Sequence, residues 1–118
     1  MKFKGIHHVS INVKDMEESR EFYVDKLGLK ILERPELKIS GYWLKAGEQE
    51  IHLAGINSGM PLKEQHFALY VDSVDETVAS LKALRIKVSE PDITAGVCRS
   101  VFIRDPSGNL IEFNERLR

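Results

Sequence analysis

The chain repeats itself, and that repeat limits the folds open to it more than any other feature. Within the stretches Ile6–Ser19 and Gln65–Thr77, residues match at an offset of 58, placing His8 on His66, Ile11 on Leu69 and Val13 on Val71. Asp15 falls on Ser73 and Glu18 on Glu76. A side-chain oxygen followed three residues later by Glu is a helix-start signal. Apolar stripes follow each start: Met16, Phe22, Tyr23 and Leu27 in the first copy, Val74, Val78, Leu81 and Leu84 in the second. Gly28 is a natural helix stop, and Arg85 stands in its place in the second copy. Later in each copy Glu50–Ala54 matches Leu110–Asn114, with His52 on Glu112 at an offset of 60.

Each copy is therefore expected to run strand, helix, then short strands. The later strands are expected near Leu29–Glu33, Gly41–Lys45 and Glu50–Ala54, and near Lys87–Glu90, Arg99–Arg104 and Leu110–Asn114. Ala46-Gly47-Glu48 and the run Asp105-Pro106-Ser107-Gly108-Asn109 supply turns. A module of about 50 residues buries too little surface to stand alone. The expectation is one domain over residues 1–118, with module one at about 3–54, a linker at 55–64 around Asn57, Ser58, Gly59 and Pro61, and module two at about 65–115.

Composition removes several functional classes. With 17 Lys and Arg against 18 Asp and Glu, the formal charge is −1, which supplies no positive stripe for nucleic-acid phosphates. The lone Cys98 excludes a disulfide framework and a thiolate zinc cluster. No stretch approaches the roughly 18 apolar residues of a membrane span, and no signal-peptide pattern follows the first lysines. A cytoplasmic, non-membrane protein with a small-molecule partner is the resulting expectation.

Side chains alternate across a strand, so each strand divides into two faces. Val9, Ile11 and Val13 share one face, and His8, Ser10 and Asn12 the other. Phe67 and Leu69 oppose His66, Ala68 and Tyr70; Ile51 and Leu53 oppose Glu50, His52 and Ala54; Ile111 and Phe113 oppose Leu110, Glu112 and Asn114. The apolar faces suit the helices. The other faces each carry one potential ligand: His8, His52, His66 and Glu112. Imidazole and carboxylate together suit zinc, nickel, manganese, iron or cobalt. An octahedral ion held by four protein groups keeps two positions for substrate or water. His7, next to His8, is expected on the helix-facing side in a structural role.

The segments HHVSINVKDMEESREFYVDKLGLKI, QHFALYVDSVDE and VFIRDPSGNLIEF resemble the glyoxalase, bleomycin resistance protein and dioxygenase group, the vicinal oxygen chelate superfamily. The resemblance runs from about Phe3 to Glu115 and implies an α+β fold of two βαβββ modules forming an incomplete barrel around a metal that the substrate chelates. It places His8, His66 and Glu112 on the ligand positions shared by metal-binding members. His52 sits where glyoxalase I has Glu and the epimerases have Gln, which sets this chain apart at a position tied to proton movement. The resemblance also turns Ser100, Phe102 and Trp43 inward.

These readings converge on a metal-dependent enzyme, of lyase or isomerase type, acting on a small oxygenated metabolite. His8, His52, His66 and Glu112 would hold the metal, with Glu112 and then His52 as the groups to move a proton. Ser10, Trp43, Tyr70, Arg99 and Phe102 would contact substrate, Arg99 clamping a carboxylate or phosphonate unless it is spent in a surface ion pair. A homodimer is expected, with the modules acting within one chain or exchanged between two. The alternatives are a binding protein of the bleomycin-resistance type and an extradiol-type dioxygenase using His8, His66 and Glu112 on iron.

Overall fold

The computed structural model describes every residue except Ser58, Met60, Leu62 and Arg118. The chain forms two compact units, Met1–Met60 and Pro61–Arg118. Their division falls inside the expected linker, of which residues 58, 60 and 62 lie outside the described residues.

The first unit runs β1 (His8–Asn12), α1 (Met16–Arg20) continuing into a π-helical turn (Glu21–Lys26), β2 (Lys30–Leu32), β3 (Gly41–Ala46) and β4 (Gln49–Ala54). The second runs β5 (His66–Tyr70), α2 (Val74–Ala83), β6 (Asp92–Thr94), β7 (Cys98–Arg104) and β8 (Leu110–Arg116). Each is a βαβββ module, and the class is α+β as expected. The sheets are ordered β1-β4-β3-β2 and β5-β8-β7-β6, with β1 parallel to β4 and β5 parallel to β8. Registers repeat as well. Ser10 pairs His52 and Trp43 pairs His52 in the first unit; Ala68 pairs Glu112 and Phe102 pairs Glu112 in the second.

Both helices start where the side-chain caps predict. Asp15 Oδ1 accepts from the Glu18 N–H at 2.9 Å, and Ser73 Oγ accepts from the Glu76 N–H at 3.1 Å. A hydroxyl one turn later, Ser19 or Thr77, donates to the carbonyl of the capping residue. The helices then diverge. Val74, Val78 and Leu81 recur at four and three residues, the α period. Phe22 and Leu27 are five apart, and the Leu27 N–H bonds the Phe22 carbonyl at 3.0 Å, the wider π turn. Gly28 ends the first helix at φ +81°, whereas Arg85 takes φ +60° at the end of the second.

One expected strand is displaced. Residues 87–90 are not a strand, and β6 begins at Asp92. Ser89 explains part of this: its N–H donates to the Phe102 carbonyl at 3.0 Å, while its hydroxyl accepts from the Phe102 N–H at 2.9 Å, so a side chain replaces the second ladder bond. Pro91 follows with no N–H to give.

Each sheet buries one face. Val13, Phe22, Tyr23, Leu44, Ile51 and Leu53 form the core of the first unit, and Val74, Leu81, Val101, Ile103, Ile111 and Phe113 that of the second. Burying one such aliphatic side chain is worth about 1.5–3 kcal/mol. Because the core takes the odd positions of β1 and β4 and the matching positions of β5 and β8, the histidines and Glu112 are left on the opposite faces.

Candidate metal centre

The second unit presents its pair directly. His66 opens β5, and Glu112 lies on β8, whose residue 112 pairs Ala68. His66 Nδ1 sits 2.9 Å from the Glu64 carbonyl oxygen. A carbonyl only accepts, so Nδ1 carries a proton, which leaves Nε2 as the nitrogen that meets the other partner. That nitrogen faces Glu112 Oε1 at 3.1 Å. An ionised carboxylate only accepts, so either a proton on Nε2 or a bound cation stands between the two atoms. Donors bound at roughly 2.1 Å to one ion, at angles near 90–109°, stand about 3.0–3.4 Å apart. The observed spacing fits that requirement. The other Glu112 oxygen accepts from Asn114 Nδ2 at 2.7 Å, which fixes the carboxylate plane. Phe102 lies edge-on to His66 with centroids 5.4 Å apart.

In the first unit, His52 is sandwiched. Its ring stacks on His8 (3.9 Å, 13° between planes) and on Trp43 (4.5 Å, 10°). Its Nε2 lies 2.8 Å from Glu50 Oε1, and an ionised carboxylate only accepts, so Nε2 carries the proton and Nδ1 is the lone-pair nitrogen of the neutral ring. That hydrogen bond holds the Glu50 carboxyl below its usual range. His8 is held below the ordinary imidazole value, first by burial and then by the neighbouring His52 and His7 rings.

His7 departs from expectation. β1 begins at His8, so strand alternation does not reach His7. Its Nδ1 meets His8 Nδ1 at 2.8 Å, and its ring stands edge-on to His52 at 6.5 Å. Arg99 is also corrected. It alternates with Ser100 and Phe102, placing it on the side of Val101 and Ile103, and its guanidinium pairs Asp75 of α2 at 3.2 Å. The opposite charge on the helix holds its guanidinium on that side of the sheet, away from the Phe102 face. Tyr70 is exposed and covered by Arg116, whose guanidinium carbon lies 4.4 Å from the ring centroid and whose Nη2 donates to the phenol oxygen at 2.8 Å.

Among the described residues no group of three or more His, Cys, Asp or Glu side chains is gathered as for a metal ion. Sequence reasoning had placed Glu50 and Asn114 on these faces without giving them a role. Their signal was available, since each stands two residues from a candidate ligand on the same strand face. The Glu64 carbonyl had none, being backbone.

The profile of the Glyoxalase/Bleomycin resistance protein/Dioxygenase superfamily matches residues 5–113. The chain belongs to this superfamily. Within it, the chain is 34% identical over 122 aligned positions to the probable chloroplastic lactoylglutathione lyase of Arabidopsis thaliana, covering 92% of the chain but 35% of that relative. The chain thus spans about a third of the Arabidopsis protein. It is 32% identical to the lactoylglutathione lyase of Haemophilus influenzae, covering 93% of the chain and 91% of the relative. A Bacillus anthracis crystal structure, proposed to be of the glyoxalase family, superposes with a TM-score of 0.89 at 34% identity over 98% of both chains. Among the described residues, no helix of this superfamily member is long and apolar enough to cross a membrane.

Proposed function

We propose that the protein is a divalent-metal-dependent enzyme of lyase or isomerase type, acting on a small metabolite that offers neighbouring oxygens to the metal. The observation that carries this reading is the His66–Glu112 pair, two potential donor atoms for a metal 3.1 Å apart with each side chain's second polar atom already held. The relatives named lactoylglutathione lyase support the reaction class. His8 and His52 are the further ligands, and the donor set is the same whether one chain or two copies of a homodimer supply it. Three imidazoles and a carboxylate accept zinc, nickel, manganese, iron or cobalt. When bound, the ion acts as a Lewis acid on a substrate oxygen.

The chain's own groups do the rest. Asn114 pins Oε2 of Glu112, which leaves Oε1 to bind the ion or to carry a proton from substrate carbon. His52 is the second proton carrier. Phe102 beside His66 and Trp43 beside His52 give apolar walls that orient the substrate and exclude water, and Ser10, paired with His52 across the strands, offers a hydroxyl.

Isothermal titration of the metal-free protein with nickel, zinc, cobalt and manganese tests the reading. The expected result is about one ion per chain, with affinity falling at least about 100-fold in His66→Ala and in Glu112→Ala. Uptake below about 0.2 ion per chain, or unchanged affinity in both variants, overturns it. Lactoylglutathione is the first ligand to offer, and binding that strengthens with added metal is the expected outcome.

A further inference from the structure

The geometry points to Glu50 as the positioning residue that holds His52 in the tautomer needed to bind a cation. This rests on the reading of His52 as a ligand. Glu50 and His52 stand two residues apart on one face of β4, and Glu50 Oε1 meets His52 Nε2 at 2.8 Å. The carboxylate can only accept, so the contact places the proton on Nε2 and leaves Nδ1 as the lone-pair atom.

Two further observations separate this from a chance surface pair. The His52 side chain is 13% exposed and its ring is stacked on both faces, by His8 and Trp43, so it is held in plane and cannot turn away from Glu50 without breaking a stack. The second observation is the other half of the repeat. The residue in the place of Glu50 is Leu110, and the residue in the place of His52 is Glu112, which has no ring nitrogen to protonate. An acid stands at this position only where the neighbouring candidate ligand is an imidazole. In the second unit the same task, fixing a histidine tautomer, falls to the Glu64 carbonyl beside His66. Outer partners of this kind commonly raise metal affinity about 10–100-fold.

Two readouts on the 118-residue chain test the assignment. Long-range nitrogen–carbon NMR of metal-free protein at pH 8 reports which His52 nitrogen carries the proton, and nickel titration reports affinity. The wild type is expected to show Nε2 protonated and Nδ1 bare. Glu50→Leu, which installs the residue of the other half, should give a mixture of tautomers and about tenfold weaker nickel binding. Glu50→Gln keeps an accepting oxygen and should restore both, with affinity within about threefold of wild type.

A wild-type His52 protonated on Nδ1 overturns the proposal without any variant. So does an unchanged tautomer in Glu50→Leu, or a Glu50→Gln protein as weak as Glu50→Leu. If the wild type takes up no nickel, zinc, cobalt or manganese, the metal reading of the previous section fails, while the tautomer result still decides what Glu50 does.

Discussion

The two halves share a register and differ in chemistry. Both put a histidine on the first strand and a second candidate ligand on the last, at matched positions of matched ladders. In the first half that second residue is His52, stacked between two rings and held by Glu50. In the second half it is Glu112, which faces His66 directly and is held by Asn114. The backbone is thus a copied frame, and the side chains that orient each ligand are specific to each copy. The difference teaches that a strand pair fixes where a ligand stands, while a residue two places along decides which atom it offers.

The comparison can be broken most forcefully in the cores. Leu44 and Ile103 are both buried and oppose Ile51 and Ile111 at equivalent rungs. Leu44→Ala and Ile103→Ala are each expected to lower unfolding stability by about 2–5 kcal/mol, measured by urea denaturation. A loss under about 1 kcal/mol in one half alone would show that the halves do not share a packing plan.

The helix ends give a smaller, opposite pair of effects. Gly28 and Arg85 both adopt left-handed backbone, and the arginine Cβ is strained there by about 1–2 kcal/mol. Some of that relief is offset by glycine's flexibility and by the lost cation at a helix C-terminus. Arg85→Gly should therefore raise stability by about 0.5–1 kcal/mol, and Gly28→Arg should lower it by about 1 kcal/mol or more, both read as shifts in thermal midpoint. No gain in Arg85→Gly would mean the arginine side chain makes up for its backbone.

The smallest expected effect is a pH dependence arising from His8 in the first half. His8 is held below its ordinary value, so the folded state favours the neutral ring, and the unfolded chain binds more protons in the window just below pH about 6.5. Unfolding free energy then rises with pH through that window, and the contribution is full above it and lost as pH falls toward the lowered folded value. In metal-free protein, His8→Gln should flatten the change in thermal midpoint between pH 5 and 7. A variant profile parallel to that of the wild type would remove His8 as the cause.

Much of this was legible in the chain. The offset of 58 residues located both helices and the first strands, since caps and alternation are local properties of side-chain spacing. The π turn over Glu21–Lys26 was not legible, since Tyr23 and Leu27 stand four apart and fit the α period equally well. Less legible was the run 87–90, where the Ser89 hydroxyl competes with the ladder, and Arg99, whose partner Asp75 lies 24 residues away. Alternation gave His8, His52, His66 and Glu112 their face, but it could not say which atom each would offer.

Sequence alone, then, determined the doubled βαβββ plan, the apolar and polar faces of each strand and the identity of the candidate donors. Those follow from periodicity, which the chain carries residue by residue. Only the tertiary structure decided that Glu50 reaches His52, that Trp43 and His8 clamp it, that the Glu64 carbonyl sets His66, and that Arg99 turns to α2. Hydrogen bonds and ring contacts depend on angles and on distances of a few tenths of an ångström, and these exist only once the strands are paired.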